Sequence, residues 1–135
     1  MAPTEIREQA TVKQGGRGGR ERRRFPRFQI PGAMLAFGFP APLGKCCEQP
    51  LKDVSLGGIA FTFPRDSCIG RVHVGQVIPA IRLVVGRKVV QLDMLVMRVD
   101  EEPHGQMVCG GLAYWKSTDD FQRVKELIES VGTEC

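Results

Sequence analysis

The chain has 135 residues, a size for one domain with one core, and its 42% hydrophobic content is enough to build that core. Its net charge is +4, but the charge is uneven: residues 1–27 hold eight arginines and lysines against three glutamates, a net +5, so residues 28–135 sum to −1. This excludes a generally basic protein and points to an anionic partner for an N-terminal arm. The five cysteines form no Cys-x-x-Cys pair, no secretory leader is legible, and no apolar run approaches the roughly 20 residues of a membrane span. These features predict a reduced, cytoplasmic chain without a membrane span.

Residues 1–20 hold few large apolar side chains and include Gly15-Gly16-Arg17-Gly18-Gly19-Arg20, so they are expected to be a flexible basic arm. From Phe28 onward short apolar runs alternate with Gly and Pro. Residues 32–39 read as a strand and 40–49 as a loop. Residues 51–55 and 59–63 flank Gly57-Gly58 as strand, turn and strand. Residues 76–85 and 88–99 are strand-like around Gly86-Arg87. In the second, Val89, Leu92, Met94, Val96 and Arg98 suggest an imperfect alternation. Residues 101–105 read as a turn and 107–115 as a last strand.

The period then changes. Phe121, Val124, Leu127, Ile128 and Val131 make one apolar helical stripe. Ser117 is expected to cap it, with Asp120 three residues later and Gly132 as its stop. About six strands followed by one helix predict an antiparallel barrel or sandwich with the helix laid on it.

Two short motifs carry the chemistry. Glu21-Arg22-Arg23-Arg24-Phe25-Pro26-Arg27 contains Arg-x-x-x-Arg in Arg23 and Arg27. Asp53-Val54-Ser55-Leu56-Gly57-Gly58 contains Asp-x-Ser-x-x-Gly in Asp53, Ser55 and Gly58. Arginine forks can bond two atoms of a guanine edge or two phosphate oxygens at once, which lysine cannot do. An acid accepts from guanine N–H groups, a hydroxyl can donate or accept, and a glycine permits close approach. Taken alone, the second motif is also an ordinary turn in which Asp and Ser bond to the backbone. The arginines alone are also a solvated basic tail.

Other chemistry has little support. His73 and His104 lack partners at metal-ligand spacing and suit surface turns. Cys109 suits a small core position, and the vicinal Cys46-Cys47 is a minor candidate for metal or oxidation chemistry. Trp115 suits the core or the helix contact. Nothing suggests an enzyme.

In these motifs, their order and their separation, the chain resembles a PilZ domain, the bacterial receptor module for cyclic di-GMP. The resemblance covers roughly residues 20–131 and includes Val96-Met97-Arg98-Val99 and Gly111-Leu112-Ala113-Tyr114. It implies a mainly β chain: a six-stranded antiparallel β-barrel with a flexible N-terminal arginine-rich arm and a C-terminal α-helix. It divides the chain into the arm (1–20), the barrel with its helix (21–131) and a tail (132–135). It implies ligand contacts by Arg22, Arg23, Arg24, Arg27, Asp53, Ser55 and Gly58. An arginine at position 22 implies two cyclic di-GMP molecules per chain. At Met97, where some members stack an aromatic on guanine, a methionine would weaken any such stack. No metal or other cofactor is implied. Signal output is expected through an unidentified protein partner. The rival readings are an RNA-binding small β-barrel with an Arg/Gly arm, disfavoured by few aromatics and a slightly acidic barrel, and a PilZ-fold adaptor that binds no nucleotide.

Overall fold

The structure is a computed structural model that describes residues 25–37, 47–66 and 72–135. Arg22, Arg23, Arg24, the arm 1–20, Cys46 and Cys68 lie outside the described residues. In chain order the elements are β1 (Phe28–Gln29), β2 (Met34–Phe37), β3 (Cys47–Val54), β4 (Gly58–Pro64), β5 (Val77–Val85), β6 (Lys88–Glu101), a 3₁₀ turn (Pro103–Gly105), β7 (Gln106–Trp115), α1 (Thr118–Val131) and β8 (Thr133–Glu134).

Six strands run in the order β2-β5-β6-β7-β4-β3, and a β2–β3 pairing closes them into an antiparallel barrel. Closure leaves no long sheet edge open to a stray strand. The short strands lie beside β3: Phe28 of β1 pairs with Val54, and β8 pairs with β1. β3 starts earlier than expected, at Cys47, because 47–50 find partners in Phe37 through Met34 of β2. A composition rich in turn residues had suggested a loop; a long-range ladder overrides it.

The barrel interior is filled by alternate residues. Leu35 and Phe37 of β2, Ile59, Phe61 and Phe63 of β4, and Ile81 and Leu83 of β5 are all buried. The Phe61 ring is tilted against Phe37 at 5.0 Å and Phe63 at 5.7 Å between centroids. In β6 the inward set is Val90, Leu92, Met94 and Val96. The expected phase was therefore wrong at Val89, which is 38% exposed.

Two bulges matter. In β5 the register shifts between Ile78 and Ile81. There Ala80 takes a positive φ of 58°, and its N–H donates to the Asp93 carboxylate at 2.9 Å. In β6 it shifts between Val96, opposite Gly111, and Arg98, opposite Gly110. Strict alternation from Val96 would send Arg98 into the core. The extra residue, Met97, turns both Met97 and Arg98 outward.

Helix α1 packs on β6 and β7. Ser117 caps it as expected, its hydroxyl accepting from Asp120 N–H at 3.1 Å, and Gly132 ends it. The buried face is Asp120, Val124, Leu127 and Ile128. Phe121 and Val131, expected in that stripe, are 38% and 46% exposed. The stripe is rotated toward Asp120, whose carboxylate accepts from Gln91 N–H at 2.9 Å and from the Ser117 hydroxyl at 2.7 Å. The Gln91 carbonyl accepts from Lys116 N–H at 2.9 Å, so both backbone groups of Gln91 are used where β7 leaves the sheet.

Candidate functional site

The β3–β4 connection is a tight turn built by the sequence itself. Ser55 N–H donates to the Gly58 carbonyl at 2.9 Å, and the Ser55 hydroxyl accepts from Gly57 N–H at 3.2 Å. β7 pins it from beside: Ala113 N–H donates to the Gly57 carbonyl at 3.1 Å, and the Trp115 indole donates to the Leu56 carbonyl at 2.8 Å. Trp115 is thus a clamp on this turn as well as a neighbour of the core.

Phe25 lies against the turn. A Cβ on Gly57 would sit 2.8 Å from its ring, so only a glycine lets the ring approach this closely. On the other side, a Cβ on Gly58 would stand 2.8 Å from the Gly111 carbonyl. Gly58 does permit a close approach, and the partner seen here is β7 backbone.

An open cleft of about 410 Å³ lies over these parts, lined at the turn by Ser55, Gly57 and Gly58 and along one side by Phe25 and Arg27. Met97 and Arg98 of β6 and Gly110, Gly111 and Leu112 of β7 complete the lining. The size is within the range of small-ligand clefts. Its walls mix apolar side chains with two guanidiniums, a combination suited to a flat, anionic, heteroaromatic molecule.

The structure brings Arg27, Ser55 and Gly58 together at this cleft. Asp53 stands one layer back. It is 8% exposed, and its carboxylate meets the Arg27 guanidinium at 3.4 Å. Its first seen role is to hold Arg27 at the cleft wall. Arg98, not singled out among the expected contacts, is part of the lining. A strand-alternation argument hides it, because the bulge that exposes it leaves no mark in composition.

Other expected chemistry finds its place elsewhere. Cys109 is fully buried, and burial pushes its thiol up to about 12, against the opposing pull of the Arg98 charge. It is therefore protonated near neutral pH and suited to packing rather than to nucleophilic attack. His73 and His104 are exposed, and His104 lies in the 3₁₀ turn at φ 67°. Among the described residues, no group of three or more His, Cys, Asp or Glu could hold a metal ion, and no helix is long and apolar enough to cross a membrane.

No protein-family model and no curated protein sequence matches the chain. Solved structures do. MrkH of K. pneumonia, in complex with c-di-GMP, superposes with a TM-score of 0.66 at 17% identity, over 80% of this chain and 51% of that one. YcgR of Escherichia coli in complex with c-di-GMP gives 0.64 at 18%, over 81% of this chain and 45% of that one. The separate YcgR PilZ domain with c-di-GMP gives 0.58 at 17%, over 82% and 91%. The chain thus spans about half the length of MrkH and YcgR and nearly all of the isolated domain. The closed six-stranded barrel with its C-terminal helix is the PilZ-domain fold.

Proposed function

We propose that this chain is a non-enzymatic, cytoplasmic receptor for cyclic di-GMP. The observation that carries this reading is the cleft itself: Arg27 of the first motif and Ser55 and Gly58 of the second line one nucleotide-sized space. The fold joins the two motifs through the β1–β3 pairing and the Arg27–Asp53 ion pair, and residue types suited to guanine-nucleotide chemistry face the same space. Three structures of the same fold, MrkH and two forms of YcgR, are complexes with that ligand.

In this reading Arg23 and Arg27 bond guanine and phosphate, Ser55 adds a hydroxyl, and Gly58 keeps the floor of the cleft low. Asp53 accepts guanine N–H groups while it anchors Arg27. Arg22 and Arg24 serve a second, stacked ligand molecule, giving two per chain. Binding draws residues 17–27 onto the barrel, and the reshaped surface is read by a protein partner. Residues 21–131 form the receptor and 1–20 the arm.

Titration calorimetry of the full chain with cyclic di-GMP, cyclic di-AMP, GTP and a short RNA tests the proposal. Cyclic di-GMP is expected to bind best, because each mismatched base contact costs about 1–3 kcal/mol. Tighter binding of RNA would overturn it in favour of an RNA-binding barrel. Binding of none would leave an adaptor. Equal affinity for the two cyclic dinucleotides would remove the role given to Asp53.

A further inference from the structure

Arg27 is held by its backbone as well as by its side chain. It directly precedes β1, a strand of two residues. β1 meets the barrel at one register position, Phe28 against Val54 of β3. It meets β8 at both of its positions, Phe28 against Glu134 and Gln29 against Thr133. The same ladder continues one step further: the Arg27 carbonyl accepts from Cys135 N–H at 2.9 Å. The stretch that carries Arg27 to the cleft therefore has more rungs to β8 than to the barrel. β8 is in turn set by α1. Gly132 N–H donates to the Ile128 carbonyl at 3.1 Å, and a Cβ on Gly132 would stand 2.6 Å from that oxygen. The chain thus leaves the helix by a turn with no room for a side chain, just after Leu127 and Ile128, which are buried in the core.

We infer that β8 positions Arg27 for the ligand, through the bond from Cys135 N–H to the Arg27 carbonyl, and that ligand binding in turn fastens β8. Three observations select this role over that of an ordinary sheet edge. The bond falls on a residue that lines the cleft. The Arg27 side chain is only loosely steered by Asp53, since their contact of 3.4 Å is long for a hydrogen bond. A guanidinium that must meet two acceptors at once needs its root fixed. Finally, Thr133 and Glu134 are both exposed, so core packing does not explain why β8 pairs. What the strand orders is the arginine stretch. Linkage makes the effect reciprocal: a ligand held by Arg27 favours the docked strand by the same factor by which the docked strand favours the ligand. The inference rests on the reading of this cleft as a cyclic di-GMP site and adds a positioning group that neither motif contains.

The test is titration of cyclic di-GMP into the 135-residue wild type and into Cys135→Pro and Cys135→Ala, each also melted without ligand. Proline removes the donor N–H and keeps the residue before it extended. Alanine keeps the N–H and changes only an exposed side chain. Positioning predicts a loss of about threefold to tenfold in affinity for Cys135→Pro, the range for one hydrogen bond, and wild-type affinity for Cys135→Ala. In the wild type, saturating cyclic di-GMP should slow exchange of the Cys135 amide by a similar factor. Unchanged affinity in Cys135→Pro would overturn the inference and leave the functional reading standing. So would an equal loss in Cys135→Ala, which would move the effect to the side chain. Absence of binding by the wild type would overturn both. If Cys135→Pro melts early, the exchange measurement decides: a Cys135 amide that exchanges at one rate with and without ligand overturns the inference whatever the affinities.

Discussion

The Arg27 guanidinium meets the Asp53 carboxylate at 3.4 Å, so two motifs 26 residues apart in the chain are joined by one ion pair. Their side chains are 29% and 11% exposed, which places the acid well inside and the base at the cleft wall. Arg27 is therefore part of the fold as well as of the proposed site.

Breaking that pair is expected to cost stability without ligand. Arg27→Ala leaves a mostly buried carboxylate short of a partner, a cost of about 1–3 kcal/mol. The double variant with Asp53→Ala should cost less than the sum of the single ones, because no orphaned charge remains. Urea unfolding of the four proteins checks this, and strict additivity would show that the contact contributes nothing in solution.

The ligand ratio is expected to depend on Arg22. Two stacked cyclic di-GMP molecules bring four phosphate charges into one place, and several guanidiniums are needed among them. Calorimetry should give two ligands per wild-type chain and close to one for Arg22→Leu. A wild-type ratio of one would refute the pair. Amide exchange should slow in residues 17–27 when ligand is added, and an arm that exchanges as before would refute wrapping.

Asp120 serves both the helix and the barrel, so its loss should exceed the loss of an ordinary cap. Ser117→Ala removes a cap bond worth about 1 kcal/mol. Asp120→Ala also leaves the Gln91 N–H without its acceptor and should cost roughly 1–3 kcal/mol for that group alone. Thermal unfolding of the two variants orders them, and an Asp120→Ala as mild as Ser117→Ala would show that water replaces the carboxylate.

Cys109 makes a pH prediction. Its thiol ordinarily ionises near 9.0 and in the fold is raised to about 12. Below pH 9 both folded and unfolded forms are protonated, and the contribution is fully present. As pH rises from about 9 toward 12 only the unfolded chain ionises, so stability falls by up to about 1.4 kcal/mol per unit. Cys109→Ala should be less stable at pH 7 because of the cavity, yet lose this slope. Parallel pH profiles for the two proteins would contradict it.

The local rules were legible without a structure. Strand–turn–strand about Gly57-Gly58, the Ser117 cap and the Gly132 stop follow from near neighbours in the chain, and they stand where the sequence placed them. The strand spacing left barrel or sandwich open, and the resemblance carried by the two motifs implied the barrel. What required tertiary structure were the features set by distant partners. β3 reaches back to Cys47 because β2 is there to pair with it. Thr133–Glu134, expected as a tail, becomes a strand because β1 offers an edge, and Cys135 N–H reaches the Arg27 carbonyl at 2.9 Å. The helix turns Asp120 inward because Gln91 has a backbone donor to satisfy. Arg98 enters the cleft because a single extra residue at Met97 shifts the phase of β6. Periodicity assumes one residue opposite one residue. A bulge or a long-range partner breaks that count, and only the folded chain records where.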